Sequence, residues 1–184
     1  IMKGHKFNVA VSGTHGKTTT TSMLSHITLK ANLDPTILVG GDVDAIEGNY
    51  KIGDSEYFVT EACEYMDSFL DFNPNVAILL NEEMEHVDYF KSIEQIRESF
   101  TKYASIVGRD GVVVYNIDDE NTVISAEQVQ ARKVSFGLSE AAIIRAVNID
   151  LERFPIEFDV CVEGEQLMHV TLPAFGKHSV YNAL

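Results

Sequence analysis

The segment from Phe7 to Thr21 constrains the fold of this chain more than any other. It begins with an apolar, β-prone run over 7–11, passes through a loop that contains Gly13 and Gly16, and then enters a cluster of hydroxyl residues that opens a helix. Glycine lets a backbone approach an oxyanion closely, and a helix N-terminus presents unpaired N–H groups and the positive end of a dipole. The order strand, loop, helix therefore predicts an α/β fold with a phosphate site at the end of the strand.

The loop between this strand and this helix supplies the first candidate binding residues. They are Gly13, Thr14, His15, Gly16, Lys17, Thr18 and Thr19. We expect Lys17 to reach the outer phosphates of a nucleotide and the Thr18 hydroxyl to ligate magnesium. The loop is shorter than the general P-loop, because Val11 stands where that pattern has its first glycine. The alternative interpretation is a strand-to-helix turn that binds nothing.

Composition limits the size, the partners and the compartment. A chain of 184 residues that is 45% hydrophobic can build one α/β domain with a substantial core. A net charge of -14 opposes general binding to nucleic acids or anionic membranes, and no apolar run is long enough to span a bilayer. Cys63 and Cys161 lie far apart without metal-site spacing, which favours a reducing, cytoplasmic setting. Both ends, Ile1 and Leu184, look cut from a longer protein.

The first half of the chain alternates strands with helices. After the loop we expect a helix over 18–31, followed by a strand over 36–39 that ends in a turn at Gly40-Gly41. One face of that helix is expected to carry Met23, Leu24, Ile27 and Ala31. The polar segment 42–55 is interpreted as a surface loop.

The later strands and helices predict a doubly wound, mainly parallel sheet over 1–137. Strands are expected over 57–60, 76–80, 112–115 and 133–136, with helices after Ser92 and over 120–126. The segment 138–173 contains three strands with short turns and no helices, which is typical of a small antiparallel sheet. Residues 174–184 are expected to start a final helix.

Polar residues at the ends of the predicted strands complete the candidate site. Ligands of open α/β sheets bind at the carboxyl ends of the strands. Glu61 ends one strand and suits magnesium, whereas Asn81 ends the next and precedes His86, for which a metal role is favoured. The alternatives are a strand-end acid that faces solvent and an ordinary loop histidine. His178 and Asn182, four residues apart, would share one face of the last helix.

Taken together, these segments resemble the central, ATP-binding domain of the Mur ligases. The run Gly-Thr-His-Gly-Lys-Thr-Thr-Thr-Thr is very similar to the loop of the member that joins L-alanine to UDP-N-acetylmuramate. Glu-Ala-Cys-Glu from Glu61 with the later Ser-Phe-Leu, the block Asn81–Asp88, and the ending from Pro173 resemble three further family motifs. Their order and spacing cover nearly the whole of 1–184.

The resemblance implies roles for individual residues. Lys17 would contact ATP phosphates, Thr18 with Glu61 would bind a first magnesium ion, and His86 would bind a second. Asn182 would hydrogen-bond adenine with His178 beside the base, and Asn81 belongs to the nucleotide site. The sequence departs from the family motifs in having Glu85, Ala174 and Ser179 where aspartate, glycine and asparagine are usual. Some relatives hold the second metal with a carbamylated lysine, but by spacing Thr101 falls at that position and Lys102 is one residue off.

The resemblance also implies an activity and missing parts. The expected reaction is ATP-dependent amide formation through an acyl phosphate in peptidoglycan precursor synthesis, with UDP-N-acetylmuramate and L-alanine as substrates. The chain would be the middle of three domains, so that its N- and C-terminal neighbours are absent and the isolated piece is inactive. The alternatives are a folylpolyglutamate synthase, a ligase that recycles murein tripeptide, and a P-loop NTPase or nucleotide-binding regulatory module with no ligase activity.

Overall fold

A computed structural model describes residues 2–184, so the domain bounds that begin at Ile1 start one residue outside the described part. The strands are β1 Phe7–Ser12, β2 Thr36–Val43, β3 Gly48–Lys51, β4 Tyr57–Glu61, β5 Val76–Leu79, β6 Val112–Asn116, β7 Arg132–Gly137, β8 Ile144–Asp150, β9 Ile156–Val162 and β10 Glu165–Leu172. The helices are α1 Lys17–Lys30, α2 Ile93–Ser105, α3 Glu120–Glu127 and α4 Lys177–Ala183. Short 3-10 segments cover Met2–Gly4, Asp44–Ile46 and Tyr65–Asp71. Within residues 2–184, no helix combines the length and the apolar character that a bilayer crossing requires.

The described strands form one sheet with a reversal of strand order beside β1. The order is β10-β9-β8-β7-β6-β5-β1-β4-β2-β3. The adjacent strands β8-β7-β6-β5-β1-β4-β2 pair in parallel with one another, whereas β3, β9 and β10 pair antiparallel to their neighbours. The chain first extends the sheet on the β4 side of β1 and then on the β5 side. Such a reversal opens a crevice at the carboxyl ends of the two central strands, where α/β proteins bind ligands.

Helices cover both faces of the parallel part because its strands are apolar on both faces. On β1, Ala10 belongs to the cluster under α2 and α3, and its neighbour Val11 belongs to the cluster near α4. The first cluster is the largest and includes Phe100 and Tyr103 of α2. Fully buried strands of this kind carry near-continuous apolar runs rather than an alternating pattern. The expected α/β fold with a mainly parallel sheet is therefore confirmed.

The expected helix α1 forms, and Met23, Leu24 and Ile27 line one cavity as residues of a common face, but this is not the most buried face of the helix. The buried residues of α1 are Thr21, Ser25 and Thr28, whereas Ile27 is 63% exposed. The hydroxyls of Ser25 and Thr28 donate to carbonyls one turn earlier, at 2.7 Å to Thr21 and 2.9 Å to Leu24. Because these internal bonds satisfy the hydroxyls of Ser25 and Thr28, these small polar side chains can be buried, whereas the Thr21 hydroxyl meets no partner within the described residues.

The expected turn at Gly40-Gly41 and the loop after it are also wrong. Strand β2 continues through both glycines to Val43, and β3 within 42–55 pairs antiparallel with β2. A Cβ on Gly40 would lie 1.9 Å from Oε1 of Glu61. The glycine therefore serves the close approach of a carboxylate rather than a turn.

The antiparallel strands near the C-terminus exist as expected, but they do not form a separate sheet. Strand β8 pairs in parallel with β7 at Phe136 and Gly137, and β9 then adds to β8 in the opposite direction. The antiparallel part is thus an extension of the main sheet. The division of the chain at residue 137 stays a prediction.

Candidate functional site

The loop between β1 and α1 is held by Asn81, two residues after the end of β5. The backbone N–H of His15 donates to Oδ1 of Asn81 at 2.7 Å, and Nδ2 of Asn81 donates to the carbonyl of His15 at 3.0 Å. The N–H of Thr14 donates to the carbonyl of Asn81 at 3.0 Å, and its hydroxyl accepts from the N–H of Glu83 at 2.8 Å. These bonds fix the loop in the crevice between β1 and β5.

The two glycines of the loop allow close approaches that another residue would prevent. Gly13 has a φ of 147°, and a Cβ there would lie 2.9 Å from Cβ of Leu80. Gly16 has a φ of 85°, and a Cβ there would lie 2.4 Å from Oδ1 of Asn182. Gly16 also precedes α1, and among the described residues no side chain caps that helix. The N-terminal amides of α1 therefore face the crevice as an anion-binding group.

Lys17 points back over the loop and contacts a carboxylate that the sequence interpretation did not select. Its Nζ donates to the carbonyls of Gly13 at 2.5 Å and Thr14 at 3.2 Å. It also lies 2.9 Å from Oε2 and 3.2 Å from Oε1 of Glu64, which is only 2% exposed. Lys17 and Glu64 thus form a largely buried ion pair at the mouth of the loop.

Thr18 and Glu61 lie together on the neighbouring side of the loop. The Thr18 hydroxyl donates to Oε2 of Glu61 at 2.9 Å. Gly40 and Gly41 of β2 border this pair, because a Cβ on Gly41 would lie 3.2 Å from Cγ2 of Thr18. A hydroxyl beside a carboxylate at a phosphate loop is an oxygen donor set that fits magnesium.

His86 lies with two glutamates rather than with Glu61. One ligand atom each from Glu64, Glu85 and His86 lies within 4.8 Å of the others. Nε2 of His86 is 3.6 Å from Oε1 of Glu64, and its ring packs against Tyr65 with centroids 4.7 Å apart. Magnesium with ligands at about 2.1 Å holds them no more than about 4.2 Å apart. The cluster is therefore close to the spacing that one cation requires.

A cavity of about 500 Å³ opens between the loop and α4. Its lining residues are His15, Gly16, Thr19, Leu80, Asn81, Glu83, Asn116, His178, Tyr181 and Asn182. The Tyr181 hydroxyl donates to Oδ2 of Asp118 at 2.9 Å, which fixes α4 beside the end of β6. Partial burial, and then the hydrogen bond to Asp118, raise the pKa of Tyr181. The cavity has the size of a small-molecule site and adjoins the loop between β1 and α1.

Glu82 is buried immediately behind Asn81. It is 0% exposed, and its Oε2 accepts from the Ser125 hydroxyl of α3 at 2.8 Å. Within the described residues, its Oε1 meets no hydrogen-bond partner. Burial raises the pKa of Glu82 to about 8, against a smaller lowering by the Ser125 hydrogen bond. This carboxyl is therefore largely protonated at neutral pH.

The structure brings most of the candidate residues together at one edge of the sheet. The loop residues, Asn81, His178 and Asn182 surround the cavity or the crevice. Thr18 with Glu61 and His86 with Glu64 form two separate polar groups. Sequence reasoning missed Glu64, although it lies three residues after Glu61 in the same block. Glu64 is followed by a sharp change of backbone direction, since Met66 and Asp67 have positive φ.

The sequence profile of the Mur ligase middle domain matches residues 11–184. The chain belongs to the Mur ligase family. Over all of its 184 residues it is 49% identical to UDP-N-acetylmuramate--L-alanine ligase of Clostridium novyi (strain NT), and it covers 40% of that protein. The chain thus spans about 40% of the length of the curated relatives it matches.

Solved Mur ligase structures share this fold. The UDP-N-acetylmuramate:L-alanyl-gamma-D-glutamyl-meso-diaminopimelate ligase of Neisseria meningitides superposes with a TM-score of 0.89 at 27% identity, over 100% of this chain and 60% of that one. The UDP-N-acetylmuramate-alanine ligase of Thermotoga maritima superposes with a TM-score of 0.81 at 29% identity, over 98% of this chain and 40% of that one. The superpositions and the sequence match therefore assign this chain to the same family.

Proposed function

We propose that this chain is the ATP- and magnesium-binding domain of a ligase that joins L-alanine to UDP-N-acetylmuramate. The observation that carries the proposal is the phosphate loop at the β1/β5 crevice, facing the cavity that Asn182 and His178 line. The relatives that bear this activity in their names are 49–50% identical over the whole chain, which supports the choice of substrates. The activity places the enzyme in peptidoglycan precursor synthesis in the cytoplasm.

The reaction has two balanced steps. A carboxylate oxygen of UDP-N-acetylmuramate attacks the γ-phosphorus of ATP, and ADP leaves, which gives an acyl phosphate. The amino group of L-alanine then attacks the acyl carbon, phosphate leaves, and the amine loses a proton. The first step brings two anions together, so that positive charge and fixed N–H donors at the phosphates lower its barrier.

Residues of this chain supply those contributions. The α1 amides and the loop N–H groups would hold the phosphates, and the Lys17 ammonium would offset their charge. Asn182, His178 and the half-buried Tyr181 line the part of the cavity that suits an adenine ring. Thr18 with Glu61, and His86 with Glu64 and Glu85, would hold magnesium, which supplies further positive charge when bound.

The full-length enzyme would add two further domains to this one. The supporting observation is that the chain covers 40% of its relatives and 40% of the Thermotoga maritima structure. Acceptor and amino acid would then bind mainly through the other domains. A cleft assembled from several domains positions its reactants only when the domains close.

Phosphate release from the full-length enzyme tests the proposed reaction. ATP and magnesium are supplied with UDP-N-acetylmuramate and L-alanine, separately and together. We expect phosphate release only when UDP-N-acetylmuramate and L-alanine are both present. Release of phosphate in the absence of both substrates would instead establish an NTPase without ligase activity.

Recycling of murein tripeptide is the second candidate function. The observation that favours it is the TM-score of 0.89 with the Neisseria meningitides ligase, higher than the 0.81 with the Thermotoga maritima enzyme. The same assay distinguishes the two by replacing L-alanine with the tripeptide L-alanyl-γ-D-glutamyl-meso-diaminopimelate. Release with the tripeptide but not with L-alanine would reverse the order of the candidates. A third arm with a folate and glutamate tests the folylpolyglutamate synthase alternative.

Substitutions in the Thr18–Glu61 pair and in the His86–Glu64 pair should raise the magnesium concentration that the enzyme requires. Glu61→Ala removes the carboxylate beside Thr18, and His86→Ala removes the ring beside Glu64. Each variant should need about tenfold more magnesium for half-maximal phosphate release, because loss of one ligand weakens a cation site. The exposed Glu98→Gln serves as the control. A magnesium titration that matches the unaltered enzyme would contradict the metal role of the residue concerned.

A further inference from the structure

Lys17 has no uncommitted hydrogen-bond donor in the described structure. An ammonium group has three N–H donors. Nζ of Lys17 contacts the carbonyls of Gly13 and Thr14 and the carboxylate of Glu64, at 2.5, 3.2 and 2.9 Å. Any phosphate that accepts a hydrogen bond from Lys17 therefore has to displace one of these partners.

Glu64 is the partner whose displacement has consequences elsewhere. Its side chain is 3% exposed, and its Oε1 lies 3.6 Å from Nε2 of His86 as well as 3.2 Å from Nζ of Lys17. A phosphate at Lys17 would stand next to this buried carboxylate, and two anions at one cation repel each other. Glu64 then either competes with the phosphate or needs a second positive charge.

A cation beside His86 provides that second charge. Glu64 contributes one ligand atom to the group with Glu85 and His86, all within 4.8 Å. While Lys17 neutralises Glu64, the carboxylate is a poorer cation ligand. Once a phosphate takes Lys17, the carboxylate is free to serve the cation.

We infer that Glu64 couples nucleotide binding to cation binding, by pairing with Lys17 in the free protein and with a divalent cation when phosphate occupies Lys17. The inference rests on the proposed nucleotide site. In it Glu64 is a positioning residue that acts through Lys17 and His86. The coupling is reciprocal, so that nucleotide and cation each raise the affinity for the other.

Glu64→Gln tests the competition in the full-length enzyme. Calorimetric titration with ADP in the presence of EDTA measures nucleotide binding without a cation. The neutral amide no longer competes for Lys17, so we expect metal-free ADP to bind about tenfold more tightly than to the unaltered enzyme. Magnesium should then improve ADP binding by a much smaller factor than it does in the unaltered enzyme.

Glu61→Gln is the matched control, because it removes one negative charge near the phosphates but contacts Thr18 rather than Lys17. Equal effects of the two variants on metal-free ADP would overturn the inference, since they would reflect net charge alone. Unaltered enzyme that binds ADP while Glu64→Gln binds it no more tightly would overturn the inference and leave the proposed function standing. Absence of ADP binding to the unaltered enzyme would overturn both.

Lys17→Met provides a second measurement that does not depend on the Glu64 variant. It frees the carboxylate, so that Mn²⁺ without nucleotide, followed by electron paramagnetic resonance, should bind about tenfold more tightly than to the unaltered enzyme. A role for Glu64 in structure alone would leave Mn²⁺ affinity unchanged or lower. Either of those results overturns the inference.

Discussion

Glu64 and Glu82 are two buried glutamates that follow β4 and β5, the strands on either side of β1, yet their surroundings differ. Glu64, 2% exposed after β4, lies between the Lys17 ammonium and the His86 ring. Glu82, 0% exposed after β5, has one hydroxyl partner, and its pKa is raised to about 8 mainly by burial. One carboxyl has a cationic partner, and the other is kept neutral by its surroundings.

The difference shows that burial alone does not determine what a carboxyl does. A buried carboxylate with an adjacent cation can remain charged and available for exchange between partners. A buried carboxyl without such a partner becomes protonated and acts as a neutral hydrogen-bonding group. The candidate cation site contains the first kind, and the junction between the post-β5 segment and α3 contains the second.

Lys17→Ala should have the largest effect on stability, because it removes the cationic partner that distinguishes Glu64 from Glu82. It leaves Glu64 buried without its ammonium partner, and removal of one member of a buried pair destabilises by about 4 kcal/mol. We expect a loss of that size in the free energy of unfolding, measured by urea denaturation at pH 7. Combining it with Glu64→Gln should recover much of the loss, because no uncompensated charge remains. Additive losses in the double variant would show that the pair does not interact.

Glu82→Gln should have the next largest effect, which appears in the pH dependence of the free energy of unfolding. The pKa of Glu82 is about 8 in the folded protein against an ordinary value of 4.5. The favourable contribution of the protonated carboxyl is complete below pH 4.5 and is lost as pH rises through 8, because the unfolded carboxyl ionises first. Between pH 5 and pH 8 the difference between the folded and unfolded pKa of Glu82 lowers the free energy of unfolding by on the order of 3 kcal/mol.

Urea denaturation at pH 5, 6.5 and 8 measures that change. Glu82→Gln should remove this part of the pH dependence, and the exposed Glu98→Gln should retain it. The difference between Glu82→Gln and the unaltered protein should therefore grow toward pH 8, in favour of the variant. A difference that is constant across pH would show that Glu82 has the same protonation in both states.

Ser125→Ala should give the smallest effect. It removes the hydroxyl that donates to Oε2 of Glu82 at 2.8 Å, which should lower the free energy of unfolding by about 1–2 kcal/mol. Because this hydrogen bond lowers the pKa of Glu82, its loss should move the pH dependence to higher pH. The same denaturation series detects both changes. If the pH at which the stability changes were the same in Ser125→Ala and the unaltered protein, the hydrogen bond would not favour the ionised carboxyl of Glu82.

The strands and helices near the site were largely predictable because their signals are local. The strand–loop–helix order around Gly16 and the apolar run after Asn75 each indicate their structure from neighbouring residues. The buried face of α1 was not predictable in this way, since internal hydrogen bonds let Ser25 and Thr28 replace apolar residues. Nor was the continuation of β2 through Gly40, where the missing side chain leaves room for a carboxylate from another strand.

The residue types and their spacing along the chain were sufficient for the α/β class, the glycine-containing loop between β1 and α1, and the family. Only the tertiary structure decided which carboxylate meets Lys17, which residues group with His86, and that Glu82 is buried. Those facts depend on the positions of β4, β5 and α3 relative to one another. Ion pairing and burial act over a few ångströms in space, whatever the separation along the chain.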